Sequence, residues 1–136
     1  AGDHAPSFVD HVADHTFTDE NNLQILERST PYLIWANYPL ENAGQTSATD
    51  EYNRMDMCML APTLVENAGL PLTPYYQYLL ALKQVAPVVT AANDYMTHTY
   101  GENAELDAWV HGYFYLEYNN IGAKATSQQN LFQVEK

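Results

Sequence analysis

The segment "APTLVENAGLPLTPYYQYLLALKQVAP" limits the possible folds of this chain more than any other. It reads as two helices with fixed ends. Pro62 lies at the first turn of the earlier helix or kinks a longer one. Gly69 is placed to cap its C-terminus, and Pro71 forbids continuation. Thr73 then caps a second helix with Pro74 in its first position, and Pro87 stops it. Tyr75, Tyr78, Leu79 and Leu82 form the apolar stripe of the second helix. Around the first, Met55, Cys58, Met59, Leu64, Val65 and Ala68 lie broadly on one side.

Two other segments complete the outline. "YLIWA", a continuous apolar run between Pro31 and Pro39, suits a strand buried on both faces, as in parallel sheets covered by helices. "AELDAWVHGYFYLEYNNIG" repeats at helical spacing through Leu106, Trp109, Val110, Tyr113 and Leu116 or Glu117. Residues 1–30 read mainly as loop, with a short helix over "NNLQILER", and "LENAGQTSATDEYN" reads as a surface loop. "VVTAANDYMTHTYGEN" predicts a short strand followed by a turn-rich, hairpin-like segment. The tail after Ile121 is polar. The expectation is an α/β fold with a small sheet packed against about three helices.

With 136 residues the chain is sized for one domain. A net charge of −12 with five basic residues excludes a phosphate-backbone partner, because nucleic-acid affinity rests on Lys and Arg. It also repels an anionic membrane surface. The single cysteine, Cys58 in "MDMCML", forms no internal disulfide and reads as a packed thiol. No apolar run approaches the ~20 residues that span a bilayer. The opening "AGDH" reads as the cut end of a longer chain, with Ala1 a cloning remnant.

The opening stretch "GDHAPSFVDHVADH" holds three Asp-His pairs, Asp3-His4, Asp10-His11 and Asp14-His15. His4, His11 and His15 would share a face of one continuous helix, but Pro6 pushes Ala5 out of helical geometry and disconnects His4. His11 and His15 alone resemble the zinc-protease spacing. "HVADH" lacks the glutamate beside the first histidine, so solvated loop histidines are the simpler reading. "GDH" differs, since Gly2 permits the sharp turn that aims Asp3 and His4 at one ion.

"GDHAPSF", "RSTPYLIWANYPLE", "MLAPTLVENAGLPLTPYYQYLLAL" and "YLEYNNI" occur in that order. The set resembles the C-terminal part of lipoteichoic-acid-synthase-like phosphoglycerol transferases, in the sulfatase branch of the alkaline phosphatase superfamily. The resemblance covers Gly2 to about Ile121 and implies that residues 1–121 are the C-terminal part of a sulfatase-like catalytic domain, with 122–136 a tail. It implies that Asp3 and His4 ligate a divalent metal, manganese foremost, with magnesium or zinc as alternatives. It places the nucleophilic threonine, the acidic ligand and the glycerol-phosphate-binding residues upstream, so no catalytic residue maps here. His11 and His15 match no ligand position of the family.

The implied reaction transfers phosphoglycerol from a phosphatidylglycerol-type lipid, in an enzyme anchored in the bacterial membrane with its catalytic domain outside. On this reading the 136-residue piece is soluble, holds half a metal site, binds metal poorly and catalyses nothing alone. Its partners are the rest of the catalytic domain and the lipid donor, and exposed apolar surface would favour self-association. Sulfatase, phosphodiesterase or phosphoethanolamine transferase chemistry on the same fold is the nearest alternative. A glycan- or protein-binding module is the alternative of another class.

Overall fold

A computed structural model describes residues 29–39, 54–90, 95–121 and 129–134. The chain parts into two compact units, Ala1–Trp35 and Ala36–Lys136. In the first, the described residues 29–35 are irregular. The strand expected at "YLIWA" does not appear there, and its side chains are not buried: Leu33 is 87% and Trp35 77% exposed. A strand needs neighbours to take its backbone groups, and an apolar run cannot supply them by itself. No strand occurs among the described residues, which are mostly helical. The expected helix over "NNLQILER" and the expected loop at 40–53 lie outside the described residues.

In the second unit a 3-10 turn, Met57–Met59, leads into helix α1, Leu60–Asn67. Helix α1 ends as expected. Gly69 takes a φ of 65°, the Leu70 N–H bonds to Val65 O at 3.1 Å and the Gly69 N–H to Glu66 O at 3.0 Å. This is the Schellman arrangement, in which a left-handed glycine turns the chain back onto the last free carbonyls. Helix α2, Pro74–Val85, begins with the Thr73 hydroxyl accepting the Tyr76 N–H at 3.2 Å and Pro74 in the first turn. Tyr75, Leu79, Leu80 and Leu82 are buried along it.

The inner face of α1 differs from the expected one. Pro62 and Thr63 are buried, whereas Leu64 is 51% exposed. Thr63 is tolerated inside because its hydroxyl accepts from Lys83 Nζ at 3.0 Å and lies 3.8 Å from Met55 Sδ.

Residues 88–90 are buried at Val88 and Val89, yet they form no ladder with another described segment. Side chains replace the neighbouring strand. The Tyr100 hydroxyl lies 3.2 Å from both the N–H and the carbonyl oxygen of Val88. The Val89 N–H donates to Asp56 Oδ2 at 3.3 Å, and the Asp56 N–H donates to Pro87 O at 2.8 Å. The turn-rich segment expected next is instead a short helix, α3, Tyr95–Tyr100, ended by Gly101 at φ 74°. Helix α4, Ala104–Ile121, then starts on Asn103, whose Oδ1 accepts from the Glu105 N–H at 2.9 Å and the Leu106 N–H at 3.4 Å. Glu105 and Asp107 in its first turn suit the positive end of the helix dipole. A second 3-10 turn, Gln129–Phe132, packs on α2.

These elements meet at a core of Met59, Leu82, Ala86, Val89 and Leu106, with Tyr78, Trp109 and Tyr113 packed around it. The expected inner stripe of α4 is therefore the one that faces the core. No helix among the described residues is long and apolar enough to cross a membrane.

Helix α4 approaches α2 closely at Gly112. A Cβ there would lie 2.6 Å from Tyr78 Oη, and that hydroxyl is anchored by donating to the Trp109 carbonyl. The Tyr78 ring also rests against Trp109, with centroids 5.1 Å apart. Gly112→Ala is therefore expected to destabilise by about 1–2 kcal/mol, because overpacking outweighs the gain in helix propensity. With Tyr78→Phe the obstructing oxygen is gone, and the ring's Cζ stands at 3.5 Å. In that background the same substitution should become neutral or stabilising by up to about 1 kcal/mol. Urea unfolding of the four proteins of the cycle measures the change of sign. Equal cost in both backgrounds would contradict this account.

Candidate functional site

Asp3 and His4, the expected metal ligands, lie outside the described residues, as do His11 and His15. Among the described residues, no group of three or more His, Cys, Asp or Glu is arranged to hold a metal ion. The chemistry that the structure does place is a line of ionisable side chains between the first 3-10 turn, α2 and α4.

Tyr75 on α2 donates from its hydroxyl to Glu117 Oε1 on α4, across 42 residues of sequence. One turn back on α4, Tyr113 is hydrogen-bonded to Cys58. Phe132 closes over Tyr75, with ring centroids 4.9 Å apart. Desolvation dominates the titration of this line. Burial pushes the Cys58 thiol up to about 11, opposed by the Tyr113 hydrogen bond. Burial, and then the bond to Glu117, hold the Tyr75 phenol well above its usual range. Burial and the bond to Cys58 do the same for Tyr113. Asp56 is also lifted by burial, with the Val89 N–H acting against the shift. Across α1 and α2, burial lowers the Lys83 ammonium, and Glu66 offsets part of that.

Every one of these shifts favours the neutral form. A nucleophilic thiol needs the opposite, a thiolate stabilised at neutral pH. The line therefore fastens α4 to α2 and leaves Cys58 inert, as its apolar sequence context suggested. Aromatic residues at helical spacing made Tyr75 and Tyr113 legible as core. Their pairing with Glu117 and Cys58 carries no local signal, because it joins distant parts of the chain.

The raised thiol has a consequence at alkaline pH. Its folded value of about 11 exceeds the ordinary 9.0, so its contribution to stability is complete below pH 9 and is lost as pH rises through 11. Relative to Cys58→Ser, the wild-type chain should lose about 1 kcal/mol more between these limits, allowing for solvent screening at a half-buried site. Denaturant midpoints across that range measure the difference, and parallel curves would contradict it.

A cavity of about 450 Å³ opens where α3 meets α4, lined by Met96, Leu106 and Val110 with Glu102, Asn103 and Asp107 at its polar side. The N–H groups at the start of α4 are already directed at Asn103, and the carboxylates give the opening a negative character. No nucleophile–base pair lies in its lining. No family model, curated protein or solved structure matches the chain.

Proposed function

We propose that the chain is the C-terminal part of a metal-dependent phosphoglycerol transferase on an α/β, sulfatase-like fold. Its substrate would be a phosphatidylglycerol-type lipid, used in making lipoteichoic acid or a related membrane glycan. The observation that carries the reading is the ordered set "GDHAPSF", "RSTPYLIWANYPLE", "MLAPTLVENAGLPLTPYYQYLLAL" and "YLEYNNI". The third member supports it further, since it folds as one capped helix pair, α1 and α2, packed beside the core.

Asp3 and His4 offer one carboxylate oxygen and one imidazole nitrogen. This mixed donor set fits Mn²⁺, and also Mg²⁺ or Zn²⁺, though such ions take about four to six ligands. A bound ion of this kind supplies charge neutralisation at phosphoryl oxygens and a lowered pKa at a coordinated hydroxyl. The chain's own part is to supply two of the ligands. The nucleophile and the remaining ligands belong to upstream polypeptide, as does the membrane anchor that would place the domain outside the cell.

The test is diacylglycerol release from phosphatidylglycerol vesicles in Mn²⁺, by this chain and by the polypeptide extended upstream. The extended protein is expected to release it and the chain alone to release none. No release by the extended protein with Mn²⁺, Mg²⁺ or Zn²⁺ would reject the reading. Activity on a sulfate ester, a phosphodiester or a phosphoethanolamine lipid instead would keep the fold and change the chemistry. A second reading, a glycan- or protein-binding module, draws on the exposed Tyr115 and Tyr118 of α4.

A further inference from the structure

Helix α4 is apolar on two sides. Its inner side, through Leu106, Trp109, Val110 and Tyr113, packs against the core. Its outer side presents His111, Phe114, Tyr115, Tyr118 and Ile121, of which Tyr118 is 72% and Ile121 75% exposed. A helix that is apolar all round is normally covered all round. His111, Phe114, Tyr118 and Ile121 also follow the alternating three- and four-residue spacing of a helix–helix seam.

We propose that this outer face of α4 is a self-association surface, on which a second copy of the chain packs its own α4 about a two-fold axis. The distribution of charge selects the occupant. The chain carries 17 acidic residues and a net charge of −12, so two copies repel over most of their surface. Beyond Asp107, however, α4 exposes no carboxylate: its one later acid, Glu117, is tied to Tyr75. An equally acidic copy can approach there without like-charge contact, whereas a basic partner would be drawn to the carboxylate-rich surface elsewhere. An apolar helix face is also self-complementary, as a two-fold contact requires. Two such faces would bury roughly 1,000 Å² in all, at the small end of specific interfaces, so the dimer is weak.

Sedimentation equilibrium of the full 136-residue chain tests this. A monomer–dimer equilibrium is expected, with a dissociation constant of about 10–100 μM. Association should strengthen between 0.05 and 0.5 M salt, because salt screens the net repulsion while leaving the apolar contact intact. Tyr118→Glu and Ile121→Glu should each weaken it by about tenfold or more, by placing an unpaired charge in the seam. Met57→Glu, at an exposed site off α4, should not. Far-ultraviolet circular dichroism checks that each variant is folded. A chain that stays monomeric at 500 μM (a deliberately high concentration, about fivefold above the weakest expected constant) in high salt overturns the proposal. So does association that Tyr118→Glu leaves unchanged. A monomer whose Tyr118 becomes buried once the upstream polypeptide is attached would assign the face to that polypeptide and overturn it equally. The association constants and the variant effects do not depend on the transferase reading; only the outcome with upstream polypeptide rests on it.

Discussion

Leu82→Ala is expected to destabilise the second unit by about 2–5 kcal/mol, the cost of emptying a closed site in a packed core. Leu82 has no exposed surface and lies in the core cluster with Met59, Ala86, Val89 and Leu106, where three elements meet. Each neighbour is fixed by something else. Asp56 ties the turn bearing Met59 to Pro87 and Val89, and Asn103 fixes the start of the helix bearing Leu106. The walls therefore cannot collapse inward, and the upper half of that range applies. A small domain has only about 5–15 kcal/mol in total, so the variant should sit near its unfolding midpoint at low urea. Leu64→Ala is the control. Although the sequence pattern groups Leu64 with buried residues, it is half exposed and should change stability by no more than about 0.5 kcal/mol. A fall in urea midpoint with unchanged slope is the measurement. Equal effects at the two leucines would mean that the core lies elsewhere.

That contrast also shows what kind of information the sequence carries. The ends of α1 and α2 were legible because Gly69, Thr73 and Pro74 act on backbone within a few residues of themselves. Tyr75, Leu79 and Leu82 were legible as buried for the same reason, recurring at helical spacing, whereas Leu80 is buried off the expected stripe and Tyr78, expected in it, is only partly buried. Helix α1 has eight residues, too short for periodicity to choose a face, and the choice falls to a distant group, Lys83, which makes Thr63 acceptable inside. At α3 the turn-rich composition of the sequence favours a turn or hairpin over the helix that forms. What decides it is tertiary, the reach of the Tyr100 hydroxyl back to Val88. At Val88 and Val89 the β-branched pair signalled burial correctly and pairing incorrectly, since Tyr100 and Asp56 do the work of a neighbouring strand. The link from Tyr75 to Glu117 has no sequence signature at all.

For the proposed site the test is sharpest at the three histidine-bearing pairs. In the upstream-extended enzyme, Asp3→Ala should lower metal affinity and turnover by about 100-fold or more. Loss of an outer-shell partner alone costs 10–100-fold, and a direct ligand contributes at least that. His4→Ala should act alike, because on the proposed reading the two donors serve one ion. His11→Ala and His15→Ala should change neither quantity, since Pro6 keeps His4 out of any helix that carries them. The selectivity of the pattern matters more than the size of any one loss. General damage to the fold would follow burial rather than ligand chemistry, and would appear in the circular dichroism of the same variants. Raising the Mn²⁺ concentration should restore part of the turnover of the Asp3 variant, because a weakened ligand set can still be filled by mass action. If Asp3→Ala binds Mn²⁺ and turns over like the wild type, the assignment of the "GDH" residues is wrong. If His11→Ala abolishes metal binding while Asp3→Ala does not, the ion belongs to the second and third pairs and the likeness to the zinc-protease spacing returns.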